Sequence, residues 1–371
     1  MTVQMREARV HRLPMSAPND TSAIANLIAS GEIDPGSIVA ILGKSEGNGC
    51  VNDFTRGYAV QSLELLLSSY LDTARIHNIC MVMSGGTEGA LSPHWILFEA
   101  MSAMKANPAR FPEGALALGT HVTDDFAPEE IGRLAQVEAV AAGVHAAMAQ
   151  AGIARVEDVH FVQIKCPLLT AERIRAAGGA SQVATTDTLR SMGLSRGASA
   201  LGVALALGEI SKAELSNAAI GADLSLFSTR ASCSAGVELM GCEILIMGMS
   251  SQWSGPLAIG HAVMGDALDV DPVRGVLRSF GLGENGQLDP AGRARITALL
   301  VKAEASKSGH VRGARHTMLD DSDISSTRHA RGFVAGALGG LIGHSELFVS
   351  GGAEHQGPDG GGPCAIICDR T

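Results

Sequence analysis

The sequence predicts an α/β protein of three similar βαβαβ-type domains arranged around a pseudo-threefold axis. Two observations support this fold. Apolar, strand-like runs alternate with helical stretches rich in alanine and leucine. A segment of the form Ser-small-Gly-x-Glu also occurs three times, and we call these the serine segments: residues 84–88, 234–238 and 350–354. Repetition at comparable spacing divides the chain into three units: residues 1–108 (unit A), 109–255 (unit B) and 256–371 (unit C).

The first and third serine segments each close an apolar run, at residues 80–83 and 347–349. Such runs are typical of buried strands, so each serine is expected where a strand meets a glycine-rich turn. The second segment follows a more polar stretch, and its strand is placed by analogy with the other two.

Lysine and arginine repeat in register with these serines. A lysine ends an earlier apolar run in each unit: Lys44, Lys165 and Lys302. An Arg-Gly pair then opens a helical stretch, with the arginine at Arg56, Arg196 and Arg331. A single buried-strand lysine is usually a paired structural residue, and a single arginine at a helix start is usually a surface charge. Three coincident triplets favour a shared functional site at the axis.

Composition excludes several classes of function. With 46% hydrophobic residues among 371, the chain is long and apolar enough for two or three well-packed domains. The formal net charge of −10, without a lysine or arginine cluster, argues against a nucleic-acid partner. Aromatic residues make up only 4%, which argues against an aromatic-lined carbohydrate or base-stacking groove.

The cysteines and the apolar runs predict a cellular location. Seven dispersed cysteines, an odd number, do not suggest a disulfide framework and favour a reducing cytoplasm. No stretch has the length of a signal-peptide core at the start or of a membrane span elsewhere. We therefore expect a soluble cytoplasmic protein without a membrane partner.

Four longer motifs resemble the cyanuric acid hydrolase/barbiturase family, and the cyanuric acid hydrolase branch is the more similar. They lie at residues 43–53, 84–94, 315–324 and 350–358. The resemblance extends over essentially the whole chain. It implies a toblerone-like three-domain fold, a homotetramer, and hydrolytic opening of a cyclic ureide ring. From cyanuric acid the product would be carboxybiuret, which loses carbon dioxide to give biuret.

The resemblance also implies roles for individual residues. It implies three Ser-Lys pairs: Ser84 with Lys44, Ser234 with Lys165, and Ser350 with Lys302. The middle pair, Ser234 and Lys165, would be nucleophile and base. The substrate-binding positions would be Arg56, Ser84, Gly85, Arg196, Ala235, Arg331, Ser350, Gly351, Lys44 and Lys302. Ala235 stands where the sibling segments have glycine, a change that the family tolerates.

The residues themselves give a separate reason to choose Lys165 as the base. A serine hydroxyl needs a neighbouring base, and a lysine serves if burial and nearby cations lower its pKa. Lys44 and Lys302 are each followed two positions later by a glutamate, Glu46 and Glu304. Positions i and i+2 of a strand share a face, so these carboxylates would hold their lysines protonated. Lys165 has no such glutamate and is therefore the best candidate base.

The symmetry of the expected site matches that of the expected substrate. An isocyanurate ring alternates three carbonyls with three N–H groups, which a threefold set of arginine and serine donors can match. Attack on one carbonyl develops an oxyanion, which N–H groups near Ala235 and Gly236 are expected to stabilise. The other two Ser-Arg sets would hold the remaining carbonyls in place.

A cation site is expected in unit C, and no organic cofactor. One carboxylate, one amide oxygen and several backbone carbonyls suit Mg²⁺ or Ca²⁺, and the resemblance places a structural metal on Glu304, Ala353, Gln356, Gly357, Pro358 and Gly361. The alternative is a glycine-rich loop tied by hydrogen bonds, with Glu304 paired to Lys302. The histidines of unit C lack the ligand spacing of a zinc site.

The leading interpretation is therefore a cyanuric acid amidohydrolase that acts through a Ser-Lys pair. One alternative, in the same fold, is a barbiturase that hydrolyses barbituric acid to ureidomalonate. The other is a non-catalytic binding protein that uses the three arginines to hold a small anion. In each case the expected partner is a small molecule.

Overall fold

The computed structural model describes residues 5–102, 111, 113–283 and 285–371. The predicted boundary between units A and B, at residues 108 and 109, lies outside these residues. The extents of the three units therefore stay a prediction. Within the described ranges, no helix is long and apolar enough to cross a membrane.

Unit A forms a mixed sheet covered by helices. Its strands are β1 (Arg6–Pro14), β2 (Ile38–Ser45), β3 (Cys80–Gly85) and β4 (His94–Ser102). Its helices are α1 (Ser22–Ala29), α2 (Phe54–Leu67) and α3 (Thr73–His77). The strand order is β3-β2-β4-β1, in which β2 and β3 are parallel and β4 is antiparallel to both β2 and β1.

Unit B repeats this arrangement with longer helices. Its strands are β5 (Ala115–Val122), β6 (Val159–Pro167), β7 (Ala231–Gly236) and β8 (Glu243–Ser250). Its helices are α4 (Leu134–Ala151), α5 (Ala171–Ala176) and α6 (Thr188–Ala206). The strand order is β5-β8-β6-β7. The short strand β9 (Trp253–Ser254) then pairs with β1 and extends the sheet of unit A.

Unit C carries the same sheet and a small additional hairpin. Its strands are β10 (Leu257–Met264), β11 (Ile296–Ala303), β12 (His310–Val311), β13 (Ala314–Arg315), β14 (Phe348–Gly351) and β15 (Gly362–Asp369). Its helices are α7 (Asp271–Ser279), α8 (Pro290–Arg295) and α9 (Ser326–Ile342). The main sheet has the order β10-β15-β11-β14, while β12 and β13 pair separately. Short 3₁₀ turns lie at Pro35–Ser37, Val156–Asp158 and Lys212–Glu214.

The sheet order is therefore the same in all three units: first, last, second and third main strand. In unit A a fourth strand, β4, follows the strand that carries Ser84, and the sequence analysis did not identify it. This strand lies between β1 and β2, and Trp95 and Phe98 on it are fully buried. A near-continuous apolar run is the usual pattern of a strand that is covered on both faces.

The helices that carry the arginines begin earlier than predicted. The side chain of Asp53 accepts a hydrogen bond from the first turn of α2, and Asp187 does the same for α6. Aspartate at this position satisfies backbone N–H groups that have no partner inside the helix. The Arg-Gly pairs consequently lie within α2, α6 and α9 and do not open them.

The three sheets share one central core. A single buried cluster joins Val82 and Phe98 of unit A, Ile164 of unit B, and Leu300 and Phe348 of unit C. Because apolar burial contributes roughly 25 cal/mol per Å², this shared core fixes the sheets relative to one another. The ends of the parallel strand pairs are thereby brought to a common point.

Candidate active site

Parallel strand pairing places each predicted lysine beside its serine. Lys44 lies opposite Ser84 on β2 and β3, and the same register pairs Lys165 with Ser234 and Lys302 with Ser350. Residues opposite each other on neighbouring strands project to the same face of a sheet. The repeated order in the sequence thus becomes three equivalent pairs in space.

The pairs of units A and C make direct contacts between lysine and serine. Lys44 Nζ lies 3.3 Å from Ser84 Oγ, and Lys302 Nζ lies 3.1 Å from Ser350 Oγ. Lys302 also reaches across to unit B and donates to the carbonyl of Cys233 at 2.5 Å. Both lysine side chains are buried.

Lys165 is held in a different way. Its Nζ donates to the carbonyl of Met83 in unit A at 2.9 Å and lies 2.6 Å from a carboxylate oxygen of Glu238. The hydroxyl of Ser234 lies 3.1 Å from that of Ser350, which joins the pairs of units B and C. The three serines therefore meet in one place, but only the unit B lysine forms an ion pair with a glutamate in the part of the chain described.

This arrangement contradicts the sequence-based reason for choosing Lys165. We inferred that Lys165 lacks a carboxylate and that its two counterparts have one, and the structure reverses this. Glu46 is exposed, and the Glu304 carboxylate contacts Thr327. Both glutamates lie one residue beyond the ends of β2 and β11, so the alternating geometry of a strand no longer applies to them. The carboxylate beside Lys165 comes from Glu238, within the serine segment itself.

Burial lowers the pKa of all three lysines. The pKa of Lys44 falls well below its usual value through burial and the charge of Arg331. Burial and Arg196 lower the pKa of Lys302 to about 7. Burial also lowers the pKa of Lys165, but the adjacent Glu238 opposes this change. Desolvation thus favours a neutral amine in each pair. Glu88 opposes this for Lys44 and Glu354 for Lys302, but only Lys165 has its opposing carboxylate within ion-pair distance in the described residues.

Two of the three arginines form ion pairs with the glutamate of another unit's serine segment. Arg331 of unit C contacts Glu88 of unit A, with a distance of 2.9 Å from Nε to Oε2. Arg196 of unit B forms two parallel hydrogen bonds of 2.8 Å with Glu354 of unit C. Such bidentate pairs fix the plane of the guanidinium. Each pair also ties one unit to the next.

The third arginine departs from this pattern. Arg56 donates to the carbonyl oxygens of Ala235 and Cys50, both at 2.7 Å, and its Nε has no hydrogen-bond partner in the described residues. By symmetry its partner would be Glu238, but that side chain turns to Lys165. Unit B therefore supplies its glutamate to a lysine, whereas units A and C supply theirs to an arginine.

A difference in the backbone accompanies this change of partner. Gly86 and Gly352 have positive φ angles of 110° and 74°, whereas Gly236 does not. Strand β7 continues through Gly236, which pairs with Pro167 of β6. The chain therefore turns one residue earlier in units A and C than in unit B. This explains why equivalent glutamates point in different directions.

The alanine in the second serine segment also has a structural explanation. A methyl group added at Gly85 would overlap the carboxylate of Asp53, and one at Gly351 would overlap the side chain of Thr327. Ala235 occupies the corresponding position on β7, and its methyl group is buried. Only unit B has room for a side chain here.

The serines and arginines converge on one central cleft. Besides Gly49, Met83 and Met192, it is lined by Arg56, Ser84, Gly85, Arg196, Ser234, Ala235, Arg331, Ser350 and Gly351. This set contains the predicted nucleophile Ser234 and every predicted substrate-binding position except Lys44 and Lys302. These two lysines lie behind the serines. The cleft opens into an outer chamber of about 460 Å³ that shares Met192 and the arginines Arg196 and Arg331. Sequence reasoning missed the segment glutamates as site residues, although their threefold repetition was a usable signal.

The residues proposed to hold a cation are only partly brought together. A small cavity of about 20 Å³ is lined by Glu304, Ala353, Gly357 and Pro358, among others. Gln356 and Gly361 do not line it, and Gln356 Oε1 accepts a hydrogen bond from the Cys233 amide at 2.6 Å.

Glu304 itself fits the role of a metal ligand. Burial and the charge of Glu354 raise its pKa, and it does not pair with Lys302. The described residues contain no cluster of three or more His, Cys, Asp or Glu suited to a metal. Two further carboxylates line the cavity, but Glu354 is paired with Arg196 and Asp359 accepts from Ser306 and the Lys307 amide. A cation here would therefore depend on Glu304 and backbone carbonyls, which suits a hard ion.

Comparison with known proteins agrees with this architecture. A sequence model described as amidohydrolase ring-opening protein matches residues 9–369. A cyanuric acid amidohydrolase of Bradyrhizobium sp. (strain ORS 375) is 59% identical over 372 residues and is covered completely, as is this chain. A second, from Azorhizobium caulinodans, is 57% identical, with 98% of this chain and 99% of the relative covered.

Solved structures give the same result. The crystal structure of a cyanuric acid hydrolase from A. caulinodans superposes with a TM-score of 0.90 at 56% identity, covering 99% of this chain and 100% of the other. Another cyanuric acid hydrolase structure gives 0.92 at 47% identity, covering 98% and 100%. The predicted fold of three similar α/β units is confirmed. The chain belongs to the family of amidohydrolase ring-opening proteins.

Proposed function

We propose that this protein hydrolyses cyanuric acid to carboxybiuret, which decarboxylates to biuret and carbon dioxide. Full-length relatives that are 51–59% identical are named cyanuric acid amidohydrolase. The observation that carries the proposal is the convergence of three Ser-Lys pairs and three arginines on one cleft. A threefold set of donors suits a ring with three equivalent carbonyls.

Ser234 is the nucleophile in this proposal, and Lys165 is its base. Neutral Lys165 takes the proton from Ser234 Oγ as that oxygen bonds to a ring carbonyl carbon. The ring C–N bond then breaks, and Lys165 returns the proton to the leaving nitrogen. Water attacks the acyl-serine, with its proton again passing through Lys165, and Ser234 is released. Serine, lysine and water are thus the only reactants besides the substrate.

Glu238 is the reason to prefer Lys165 over its two counterparts. When Lys165 becomes protonated, the carboxylate 2.6 Å away stabilises the new ammonium. The buried aspartate of a serine protease supports its histidine in the same way. Burial raises the pKa of Glu238, but the charges of Lys165 and Arg56 outweigh this and keep it low, so Glu238 stays ionised. Lys302 is the rival base, because its pKa of about 7 suits proton transfer near neutral pH.

Arg56 differs from the other two arginines because no segment glutamate pairs with it, and this supports its role at the reacting carbonyl. Among the described residues, its buried guanidinium donates to two carbonyl oxygens and lies 3.8 Å from the carboxylate of Asp53. The two other arginines already have glutamate partners. Arg56 therefore keeps more of its charge for a developing oxyanion next to Ser234. Backbone N–H groups near Ala235 and Gly236 are the proposed second source of stabilisation.

We also propose that a divalent cation, Mg²⁺ or Ca²⁺, binds at Glu304 beside the loop from Ala353 to Gly361. When bound, it would neutralise the Glu304 carboxylate and order the loop that follows Ser350. The Glu304 carboxylate is half-buried, and the hydrogen bonds it accepts come from the neutral Ala305 amide and Thr327 hydroxyl. Its charge and the adjoining cavity of about 20 Å³ support this assignment. The proposed role is structural, because the oxygen ligands hold the ion behind the cleft and not in it.

Two further features remain proposals. The family resemblance implies a homotetramer, which light scattering on the purified protein would test. A cytoplasmic location is favoured by the unpaired state of the seven cysteines. A dimer or monomer in solution would contradict the first proposal and leave the chemistry unaffected.

A steady-state assay with cyanuric acid and barbituric acid tests the function. Barbituric acid has a CH₂ group in place of one N–H, so an acceptor that served that N–H is left unpaired. This costs roughly 1–3 kcal/mol, or about one to two orders of magnitude in kcat/KM. Equal or faster turnover of barbituric acid would make the protein a barbiturase. Binding of cyanuric acid without turnover would favour the non-catalytic alternative.

A further inference from the structure

A second cavity reaches Lys165 away from the cleft. This rear cavity has a volume of about 410 Å³, and its polar lining comprises Glu64, His77, Asp125, Lys165, Glu238 and Glu243. It shares no lining residue with the central cleft. Since one water occupies about 30 Å³ of liquid, the rear cavity has room for several waters. Lys165 thus lines a space with room for water and lies opposite Ser234 in the register of β6 and β7.

Glu243 is the residue of the rear cavity that lies directly opposite Lys165. The two are paired in register on the antiparallel strands β8 and β6. Its Oε2 accepts a hydrogen bond from the Met81 amide at 2.7 Å, which fixes the carboxyl group against the edge of unit A. Burial raises the pKa of Glu243 to about 7, so its proton exchanges readily near neutral pH.

The other two lysines lack this arrangement. The residue opposite Lys44 is His94, which is fully buried, bonded through Nδ1 to the Ser92 carbonyl, and kept neutral by a pKa of about 4. Beside Lys302, strand β15 begins with a glycine and a proline, neither of which has a titratable side chain. Among the described residues, therefore, only Lys165 has a carboxylate across the strand and a cavity next to it.

We propose that Glu243 and the rear cavity carry protons between solvent and Lys165, by way of Glu238. This inference rests on the proposed function, because it takes Lys165 as the base. In this proposal the ion-paired Lys165 regains a proton between turnovers, so it has no lone pair for the Ser234 proton when the next one begins. One Nζ–H proton passes to the Glu238 carboxylate, then through water to Glu243, and then to bulk water. No other bond changes, and Lys165 is left neutral.

The groups that face Glu243 set the conditions for this transfer. Lys165 lies opposite on β6, Glu238 follows β7, and Glu64 projects from α2. His77 at the end of α3 and Asp125 after β5 complete the polar lining, and the Cys80 thiol on β3 is also close. The neighbouring carboxylates Glu64 and Glu238 favour a protonated Glu243, while Lys165 favours the ionised form.

The Glu243→Gln variant tests the proposal through its pH profile. Glutamine keeps an oxygen for the Met81 amide, so the contact between β8 and β3 is retained. Glu243 accepts a proton only when ionised, so kcat of the parent enzyme rises with pH through about 7. In Glu243→Gln we expect kcat to fall about 10-fold or more, without that rise. KM for cyanuric acid stays unchanged, because Glu243 does not line the cleft.

Chemical rescue separates proton transfer from a structural role. Formate fits the rear cavity and replaces the missing carboxylate, so it restores kcat of Glu243→Ala in proportion to its concentration. Glu243→Asp keeps the carboxyl group and retains the pH dependence. The matched control is Glu64→Gln, which removes a carboxyl group from the same cavity. We expect it to keep the full kcat well above pH 7 and to move the rise of kcat to lower pH, because Glu64 favours a protonated Glu243.

Each other outcome overturns one proposal. An unchanged kcat and pH profile in Glu243→Gln contradicts proton transfer through Glu243. A fall in kcat with the pH profile kept, and without formate rescue, shows that Glu243 is structural. Full turnover in Lys165→Ala would instead contradict the proposed function, because the rear cavity would then adjoin a residue that is not the base.

Discussion

The Lys165–Ser234 pair and the Lys302–Ser350 pair occupy equivalent positions, yet their surroundings differ. Both lie in register on parallel strands at the end of a four-stranded arrangement. Lys302 contacts its serine at 3.1 Å and three backbone carbonyls. Lys165 contacts a glutamate. A repeated scaffold therefore reproduces the positions of the groups, while the partners of each group decide its chemistry.

The difference follows from a redistribution of glutamates. Units A and C neutralise a buried arginine with their segment glutamate, and unit B neutralises a lysine. A buried charge without a partner is costly, so this choice determines which cation stays available to a substrate. Next to the serine of unit B that cation is Arg56 of unit A, which donates to the carbonyl of Ala235. The asymmetry gives one of three similar pairs a lysine with a carboxylate partner and a nearby arginine that no segment glutamate neutralises.

The largest expected effect comes from removing one pair at a time. In Lys165→Ala and Ser234→Ala we expect kcat to fall about 1,000-fold or more, as when a nucleophile or its base is removed from other hydrolases. Lys44→Ala and Lys302→Ala, with Ser84→Ala and Ser350→Ala, weaken turnover mainly through substrate binding and the local field. Steady-state kinetics on all six variants gives the comparison.

Two results would break this ordering. Comparable residual rates in all three lysine variants would mean that no single pair is the catalytic one. A loss confined to Lys302→Ala and Ser350→Ala would move the chemistry to unit C. Mass spectrometry after rapid mixing with cyanuric acid provides an independent test, since the acyl group is expected on Ser234.

The second prediction compares two segment glutamates. In Glu238→Gln we expect kcat to fall about 10- to 100-fold, because the Lys165 ammonium loses its stabilising charge. Glu354→Gln breaks the ion pair with Arg196, so KM rises more than kcat falls. Measuring kcat and KM separately for both variants shows whether Glu238 affects the chemical step and Glu354 mainly affects substrate binding. Equal effects on kcat would show that Glu238 has no special relation to the base.

The arrangement of the site was predictable from sequence because it depends on repetition. Lysine and serine recur in the same order in each unit, and the same strand order places them in the same register. The family resemblance identified the candidate site residues, and the structure brings the serines and arginines among them to one cleft. The aspartates Asp53 and Asp187 marked the true starts of α2 and α6, but their capping role was overlooked.

The partner of Glu238 was not predictable in the same way. All three segments have glycine two residues after the serine, yet only Gly86 and Gly352 adopt positive φ angles. The conformation of Gly236 depends on how far β7 pairs with β6, a tertiary property that local sequence does not encode. The inference from Glu46 and Glu304 failed for a related reason, since it assumed strands longer than those that form.

The third prediction tests the room available for a side chain in each serine segment. In Gly85→Ala the new methyl group meets the Asp53 carboxylate, so we expect a loss of roughly 1–3 kcal/mol in the free energy of unfolding. Ala235→Gly removes a buried methyl group and costs about 0.5–1 kcal/mol. Urea denaturation of both variants measures the difference. Equal losses would mean that unit B is as tightly packed here as unit A.

The smallest expected effect concerns the cation proposed for unit C. It compares the residue that follows the lysine by two places in units C and A. The residue two places after the lysine is Glu304 in unit C and Glu46 in unit A. Glu304 is half-buried, whereas Glu46 is exposed. Mg²⁺ at ten times its Kd is expected to stabilise the native protein by about 1.4 kcal/mol, because only the folded state holds the site.

Thermal unfolding with and without Mg²⁺ tests this expectation on three proteins. The parent protein and the control Glu46→Gln should be stabilised equally, because Glu46 is exposed. Glu304→Gln should show no stabilisation, since its neutral amide lacks the charge that a hard cation requires. Metal analysis of active protein that finds no divalent ion, or a requirement for zinc in turnover, would refute the site. Equal stabilisation of Glu304→Gln would place the ion elsewhere.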